Sequence, residues 1–444
     1  LKQPLGYSDV HTSATGRRPT MQGEPMDGWH LSTRTPPPWP AISCDSCVSV
    51  QGSILMLGGF ATDPHSVCTP SEPVRGAWRS DDLGATWKAL REPPWPARRE
   101  HAAVVLNDKQ VFVLGGRTEA EFLNDVWSSC DQGRTWQQLP TPAWRPSAFQ
   151  AAVAVQGALL VLGGAVAGGD RHNEVWRSTD QGRTWRQLPR PPWSCRGGLA
   201  AAAVGGSVFI MGGNDGPVGD GPNAWRATQD VWRSDDQGES WQELPKPPWP
   251  ARCAHKVTVV GGALVLTGGV ACNQRVLRDV WASVDQGASW QSLPAPQWIG
   301  RAHHGSVAVH GTLVIVAGIN HCLLRDVWYS QLGSALAMRR QAQLEEQLQE
   351  QLQEFEKKRQ EEARRREQLQ QRLRELEAGL EAEQKLREAH ERFLELARPQ
   401  ELECQLRKAL GRLEEAEERF EADRQMQKAQ RRLAVVERPL ELEH

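Results

Sequence analysis

The chain has 444 residues, 24% of which are charged, and its formal net charge is only −2. This balance excludes the basic excess typical of nucleic-acid-binding proteins, and no apolar run reaches the roughly eighteen residues that a membrane span needs. The nine cysteines are scattered and odd in number, which argues against a disulfide framework and favours a reduced, cytoplasmic setting.

The composition changes sharply near Ser334. All nineteen tryptophans lie before this residue, and the sequence after it consists largely of Glu, Gln, Arg, Lys, Leu and Ala. We therefore place a domain boundary after residue 332. At the other end, residues 1–26 contain no apolar segment resembling a secretory signal, and we predict that they form a disordered leader.

A repeat with a period of about 49 residues runs through residues 27–332. Its clearest copy contains four short apolar stretches that form two hairpins, which is typical of a β-propeller blade. These stretches are HAAVVL (101–106), VFVLGG (111–116), DVWSS (125–129) and TWQQL (135–139). The glycine-rich end of the second stretch recurs six times, once in the degenerate form Ala317-Gly318. The repeat predicts six blades.

The last copy of the repeat contains only three strands and ends at Ser330. A match to the missing fourth strand lies at the start of the domain, where residues 28–33 precede a Pro-Trp linker as TWQQL does. We predict that this strand completes blade six and closes the ring, which removes an open sheet edge. The predicted fold class is an all-β six-bladed propeller with four-stranded antiparallel blades.

Tryptophan recurs three times per blade, in the third strand, the fourth strand and the following linker. This scheme accounts for eighteen of the nineteen tryptophans, and Trp225 lies outside it. Such regular placement of a large aromatic side chain indicates core packing between blades. Stacking on carbohydrate is the alternative interpretation.

The Gly-Gly strand end and the segment from the third to the fourth strand resemble kelch repeats. The second hairpin also resembles the Asp-box of the sialidase family, Ser-x-Asp-x-Gly-x-Thr/Ser-Trp, which occurs five times. Its carboxylate is expected to accept hydrogen bonds from turn amides, and its glycine to adopt a positive φ. The resemblance implies a structural role away from any active face. The aspartates are Asp82, Asp131, Asp180, Asp236 and Asp285.

The resemblance to sialidases does not extend to their chemistry. That chemistry needs a tyrosine nucleophile and an arginine cluster, and the chain has only Tyr7 and Tyr329. Copper chemistry of the galactose-oxidase kind fails for the same lack of tyrosine. We predict that the protein is not an enzyme and has no cofactor. The alternative is an epimerase or mutarotase that acts on an acidic sugar through Arg99, Glu100 and His101.

The motif Arg-x-x-His occurs in the loop that enters three of the blades. In kelch propellers this loop and the loop after Gly-Gly open on one mouth of the ring. The motif is interpreted either as a feature that stabilises the blade or as part of a basic mouth for an anionic ligand. The candidate ligand-binding residues are Arg98, Arg99, His101, Arg117, Arg196, Arg252, His255, Arg301 and His304. The longest mouth loops, 60–76 and 214–229, are candidate specificity elements.

Cysteines and histidines also gather on the predicted mouth. Ligands from neighbouring blades could hold zinc, or the thiols could be buried and the imidazoles solvent-facing. Only Cys44 and Cys47 are closely spaced, without a second pair, and we predict no metal. The set is Cys44, Cys47, Cys68, Cys253, His255, Cys272, His303, His304, His321 and Cys322.

Beyond about Ala335 the apolar residues follow a period of about 3.5, which predicts coiled coil. One run is Leu369, Leu373, Leu376 and Leu380, and a second is Leu402, Leu406, Ala409, Leu413, Ala416 and Phe420. Between these runs and the start of the tail, charged residues occupy core positions at 359–366. Pro399 divides the tail into helices at 333–398 and 399–444, which could form a long dimer with a break or fold back as an antiparallel hairpin. A solitary charged helix is the alternative to a homodimer or a pairing with another coiled coil.

Together these features predict a non-catalytic scaffold. The propeller mouth would bind a protein segment or an anionic ligand, and the tail would oligomerise or tether the protein. The layout is similar to that of eukaryotic kelch proteins with C-terminal coiled coils, which implies a role in cytoskeletal, polarity or trafficking complexes.

Overall fold

The structure of the protein is a computed structural model. It describes residues 28–32, 37–43, 46–61, 72–216, 226–394 and 411–412. Within the helix, the side chains of residue 383 and of residues 387–394 are not described. The predicted leader and nearly all of the second predicted helix lie outside these ranges.

Short strands and one long helix make up the described chain. The strands of the first half are β1 (His30–Leu31), β2 (Ile42–Ser43), β3 (Cys47–Val50), β4 (Ser53–Leu57), β5 (Phe60–Ala61), β6 (Glu72–Pro73), β7 (Ala77–Ser80), β8 (Lys88–Ala89), β9 (Ala102–Leu106), β10 (Gln110–Arg117), β11 (Phe122–Ser129), β12 (Gln137–Gln138), β13 (Ala151–Val155), β14 (Ala158–Ala165), β15 (Arg171–Ser178) and β16 (Arg186–Gln187). The second half contains β17 (Ala200–Val204), β18 (Ser207–Met211), β19 (Val231–Ser234), β20 (Gln242–Glu243), β21 (Arg252–Cys253), β22 (Lys256–Val260), β23 (Ala263–Thr267), β24 (Val270–Ala271), β25 (Val280–Ser283), β26 (Gln291–Ser292), β27 (Gly305–Val309), β28 (Thr312–Val316), β29 (Val327–Ser330) and the helix α1 (Gly333–Leu394).

These strands form six four-stranded antiparallel blades, as predicted. Their orders are β3-β4-β7-β8, β9-β10-β11-β12, β13-β14-β15-β16, β17-β18-β19-β20, β22-β23-β25-β26 and β27-β28-β29-β1. The predicted ring closure is confirmed, because His30 pairs with Tyr329 and Leu31 pairs with Trp328. Two small antiparallel sheets, β2-β5-β6 and β21-β24, are separate from the six blades.

Tight turns join the first and second strands of the blades. In five blades the loop has two residues, and both have positive φ. This geometry is the type I′ turn, whose twist matches that of the flanking strands. Because strands alternate in direction, the loops after strands one and three share one end of each blade. We call that end of the ring the turn face, and the opposite end the mouth face.

The core lies between adjacent blades. Trp95, from the linker that enters blade two, is buried in one apolar cluster with Leu55 of blade one and Val111 of blade two. It packs edge-to-face on Trp127 and Trp136, with ring centroids 5.7 and 4.5 Å apart. The other linker tryptophans are also buried. The predicted packing of tryptophan between blades is thereby confirmed, and the linker rings are not available to stack on carbohydrate.

The helix α1 begins on the turn face of blades five and six. Leu332 and Leu336 are buried in the cluster that contains Trp29 and Trp298, and the Gln343 side-chain amide donates to a carboxylate oxygen of Asp285. The chain divides into two compact units, Leu1–Gln349 and Glu350–His444. The first turns of the helix therefore belong to the propeller unit.

Farther along, α1 presents a row of exposed apolar side chains. These are Leu344, Leu348, Leu352, Phe355, Leu369, Leu373, Leu376, Leu380 and Leu386. The first predicted helix is thus present as far as the structure describes it, and residues 411–412 of the second are helical. In the described part of the chain, no helix has both the length and the apolar character needed to cross a membrane.

Candidate functional site on the mouth face

The five Ser-x-Asp-x-Gly hairpins lie on the turn face and have a common geometry. In the third, Ser178 Oγ accepts the amide of Gly182 at 2.9 Å, and Asp180 accepts the amide of Thr184 at 2.9 Å. Burial by itself raises the pKa of Asp180, but hydrogen bonds from Thr184 and Ser178 outweigh this effect and lower it to about 2. The expected acceptance of turn amides by the aspartates is observed in the hairpins of Asp82, Asp131, Asp180, Asp236 and Asp285.

The arginines of the blade-entering loops are buried rather than displayed on the mouth. Arg252 is 0% exposed, and its two terminal nitrogens each donate to an oxygen of Asp279 at 2.7 Å. It also donates to the Gly268 carbonyl at 2.8 Å. Its guanidinium lies 5.7 Å from the centroid of the Trp249 ring. The same arrangement is formed by Arg98 with Asp125, Arg196 with Asp230, and Arg301 with Asp326.

Three of the acidic partners, Asp230, Asp279 and Asp326, are held in the ionised state. Burial raises the pKa of Asp279, but the hydrogen bonds and charge of Arg252 and the indole N–H of Trp281 lower it below its ordinary value. The pKa values of Asp230 and Asp326 are lowered for the same reasons. A buried guanidinium whose charge is already matched by a bidentate carboxylate has little left to offer a ligand. The prediction that these four arginines bind a ligand therefore differs from the structure.

The histidines of the Arg-x-x-His motif are buried as well. His101, His255 and His304 are each less than 5% exposed. Burial, and then the nearby Arg252 and Arg301, lower the pKa values of His255 and His304 well below the ordinary value, so both are neutral. The rings lie against the Gly-Gly turn of the preceding blade, where a Cβ on Gly212 would come within 2.7 Å of His255. Their position matches the stabilising interpretation of the motif and not a role in ligand binding.

Two of the predicted arginines do reach the mouth surface. Arg117 forms a two-pronged ion pair with Glu100 and keeps 31% of its side chain exposed. Its guanidinium lies 5.9 Å from the ring centroids of both Phe122 and Phe149. Arg99 lies 5.4 Å from the ring centroid of Phe60. Because arginine stacks favourably on aromatic faces, these side chains form a preorganised cationic and aromatic surface.

The residues nearest the ring axis are joined by a chain of backbone hydrogen bonds that passes from blade to blade. One residue from each of five successive blades takes part, and the amide of each after the first donates to the carbonyl of the residue from the preceding blade at 2.9–3.0 Å. In order, these residues are Glu100, Phe149, Gly198, Ala254 and His303. All five residues have positive φ. This chain fixes Phe149 and His303, whose rings are 6.0 Å apart. We define the mouth cluster as Arg99, Arg117, Phe122, Phe149 and His303.

The predicted gathering of cysteine and histidine does not form a metal site among the described residues, where no group of three or more metal-ligating side chains is close enough to hold an ion. Cys253 is buried and burial raises its pKa to about 12, whereas Cys272, His321 and Cys322 are exposed. Cys44 and Cys68 lie outside the described residues, as do most of the two long mouth loops.

The residues predicted from the sequence did not include Phe122 or Phe149, and His303 was named only as a possible metal ligand. The signal was present, since Phe149 and His303 stand at the same repeat position as Glu100, two residues after the buried arginine of other blades. For the alternative enzyme site, the structure removes only the histidine from the proposed triad, since Arg99 Nε stays 3.9 Å from a carboxylate oxygen of Glu100. Glu100 is paired with Arg117, and His101 is turned into the core.

Comparisons with known proteins agree with this geometry. A family model described as the KLHDC2/KLHL20/DRC7 Kelch-repeats domain matches residues 45–269, just over half of the chain. A search of curated proteins finds no match. The Gly-Gly strand ends, the six four-stranded blades and the family match lead to one conclusion: the chain belongs to the kelch-repeat family.

Proposed function

We propose that the protein is a non-catalytic interaction scaffold whose mouth cluster binds a protein segment. Kelch propellers are commonly protein-interaction domains, and the composition of the mouth cluster carries the proposal for this chain. Arginine and aromatic side chains are enriched at the centres of protein interfaces. Here they converge from blades two, three and six onto one rigid surface.

The chemistry of the mouth cluster favours a segment that carries both acidic and apolar side chains. The rings of Phe122 and Phe149 offer apolar contact, and the partly exposed guanidiniums of Arg99 and Arg117, which share the single carboxylate of Glu100, offer N–H donors. Glu100 holds Arg117 in place, so little side-chain freedom is lost on binding. The acidic-sugar enzyme is less well supported, because neither Glu100 nor His101 is exposed as an acid or base would have to be.

Substitution of the mouth cluster should remove the partners that depend on it. We expect Arg99→Glu combined with Phe149→Ser, in the full chain, to lower the enrichment of such partners at least about tenfold, since interface hot spots contribute 2 kcal/mol or more. The measurement is quantitative proximity labelling in the source cell. The matched control is Arg233→Glu combined with Leu31→Ser, which removes the same charge and a comparable apolar side chain elsewhere on the propeller.

An unchanged set of labelled proteins in the mouth variant would contradict the proposal. A loss that is equal in the mouth variant and in the control would also contradict it, because it would point to a general defect. Turnover of an acidic sugar by the wild-type protein, abolished by the mouth variant, would favour the enzymatic alternative.

We further propose that the tail associates with a second copy of the chain. The supporting feature is the row of exposed leucines on α1, including Leu369, Leu373, Leu376 and Leu380, whose spacing of 4, 3 and 4 residues fits a coiled-coil seam. A homodimer would present two mouths together, which raises the effective affinity for a repeated or clustered partner. A cytoplasmic location remains part of this proposal.

The mass of the full chain in solution tests the tail. We expect light scattering to give about twice 49.4 kDa, and Leu373→Lys combined with Leu380→Lys to give the monomer mass, because charge at seam positions is not tolerated in a two-stranded coil. Gln371→Lys combined with Ala378→Lys is the control, since both residues lie on the side of the helix opposite the leucine row. A wild-type chain that stays monomeric at high concentration would refute self-association.

A further inference from the structure

A second feature of the mouth face is a pocket on blade three, built from residues that the mouth cluster does not use. Its volume is about 300 Å³. We define the side pocket by the charged and polar residues that line it, which are Arg145, Arg171, His172, Glu174, Arg190 and Cys195. It draws on the third strand of blade three and on the linkers at both ends of that blade.

The side pocket occurs where blade three departs from the repeat. Ser147 stands in the position of the buried arginine, since its carbonyl accepts the amide of Gly116 just as the Arg252 carbonyl accepts that of Gly213. Without that arginine, Glu174 is bound at 2.6 Å by Arg145, which reaches it from the solvent side. The other oxygen of Glu174 accepts the indole N–H of Trp176 at 3.0 Å. The carboxylate is therefore already satisfied.

His172 is the second departure. Leu123, Leu277 and Leu324 hold this position in other blades, as their backbone hydrogen bonds to the next linker show. His172 is only 8% exposed, and neither ring nitrogen has a hydrogen-bond partner among the residues that the structure describes. Burial lowers its pKa, opposed in part by Glu174, so the ring is neutral and offers one donor and one acceptor. A buried polar side chain without a hydrogen-bond partner lowers the stability of the fold. Leucine at this position would give the more stable protein.

The charges around the side pocket are unbalanced. Three arginines line it against the single carboxylate of Glu174. Arg190 donates to Asn173 Oδ1 at 3.2 Å, and Arg171 donates to the Gly216 carbonyl. Neither arginine is within ion-pair distance of a carboxylate in the described part of the chain. The charge of Asp215 acts on Arg171 from beyond that distance, but Asp215 is itself paired with Arg226 at 2.7 Å. The pocket therefore keeps a surplus of positive charge and of N–H donors.

We propose that the side pocket binds a small molecule through an oxyanion, either a phosphate or a carboxylate group. Arg171 and Arg190 would supply charge-assisted hydrogen bonds to the oxyanion, and the ring N–H of His172 would donate to it from the buried side. The volume lies at the lower end of the range for small-molecule sites, which suits a compact ligand rather than a folded partner. The proposal is independent of the mouth cluster.

Calorimetric titration of the full chain with inorganic phosphate and, separately, with acetate at fixed ionic strength tests the proposal. We expect saturable binding of one equivalent of at least one anion. Arg190→Gln and His172→Leu should each weaken it about tenfold or more, as the loss of a hydrogen bond to a charged oxyanion implies. Arg233→Gln, which removes an arginine from blade four, should leave it unchanged.

The two probes identify the group. Binding of phosphate alone would assign a phosphate ligand, and binding of acetate alone a carboxylate. The proposal is overturned if neither anion binds, or if binding is the same in both pocket variants as in the wild type. His172→Leu restores the residue of other blades and is expected to keep the fold. Should its circular dichroism change, Arg190→Gln, at an exposed position, decides the question.

Discussion

Replacing Arg252 with leucine is expected to lower the free energy of unfolding by about 3–5 kcal/mol, the range for removing one partner of a buried ion pair. The guanidinium is fully buried and binds both oxygens of Asp279 and the Gly268 carbonyl. Without it, the partly buried carboxylate of Asp279 and the Gly268 carbonyl lose their donor. Urea denaturation of the wild type and the variant, followed by tryptophan fluorescence, measures the difference.

Two further variants separate the ion pair from general damage. Arg252→Leu combined with Asp279→Leu should recover much of the loss, because an apolar pair leaves no uncompensated charge. Arg233→Leu removes a half-exposed arginine that pairs with Asp235 on the surface, and it should cost no more than about 1 kcal/mol. A loss of less than about 1 kcal/mol in Arg252→Leu would refute the structural role given to the motif.

The effect of Arg252→Leu should also depend on pH. Although burial raises it, the hydrogen bonds and charge of Arg252 hold the folded-state pKa of Asp279 below its ordinary value of 3.8. The stability contributed by the pair is therefore present above that value and is lost as the pH falls through the lowered folded-state pKa. We expect the difference between the wild type and the variant to be largest near neutral pH and to shrink below about pH 4.

Trp29→Ala is expected to be comparably destabilising, by about 3–5 kcal/mol. Trp29 is 8% exposed and packs edge-to-face on Trp298 with ring centroids 5.6 Å apart. It anchors β1, whose two residues supply the closing strand of blade six. If β1 detaches, the edge of β29 becomes available to pair with other chains. The variant should therefore have a lower urea midpoint and scatter more light on warming.

Leu31→Ala is the matched control for the closure. Leu31 lies on the same strand but is 52% exposed, so its loss should change stability by no more than about 0.5 kcal/mol. Equal effects of the two substitutions would show that Trp29 does not anchor the closing strand. A stable, non-aggregating Trp29→Ala variant would show that the ring holds without it.

The number of blades and the closure of the ring could be predicted because both depend on short sequence patterns that recur in each repeat. The Gly-Gly strand ends mark turns that need positive φ, and the tryptophan spacing marks strands and linkers. The last copy of the repeat lacks a fourth strand, and an additional strand precedes residue 33. Pairing these two segments closes the ring and leaves no strand edge unpaired.

The role of the arginines was harder to predict, although its signals were present. Each buried arginine follows a linker tryptophan by three residues, as Arg252 follows Trp249, and each acidic partner precedes a strand-three tryptophan by two, as Asp279 precedes Trp281. The sequence does not show how deeply each arginine side chain is buried. An arginine beside a loop reads as a surface cation, and only the packing of strand three against the linker shows that its charge is matched and buried.

The sequence by itself determined that this protein is a closed six-bladed kelch propeller with a helical tail, because turn chemistry, strand alternation and aromatic spacing are properties of short segments. Only the tertiary structure decided which side chains are available for binding. In the folded protein, four arginines and three histidines of the predicted site are buried. Phe122, Phe149 and His303 lie close to Arg117, and a pocket is present beside His172. Burial and charge matching depend on contacts between residues far apart in the chain, so a local pattern can mark these residues but cannot show that they are buried and paired.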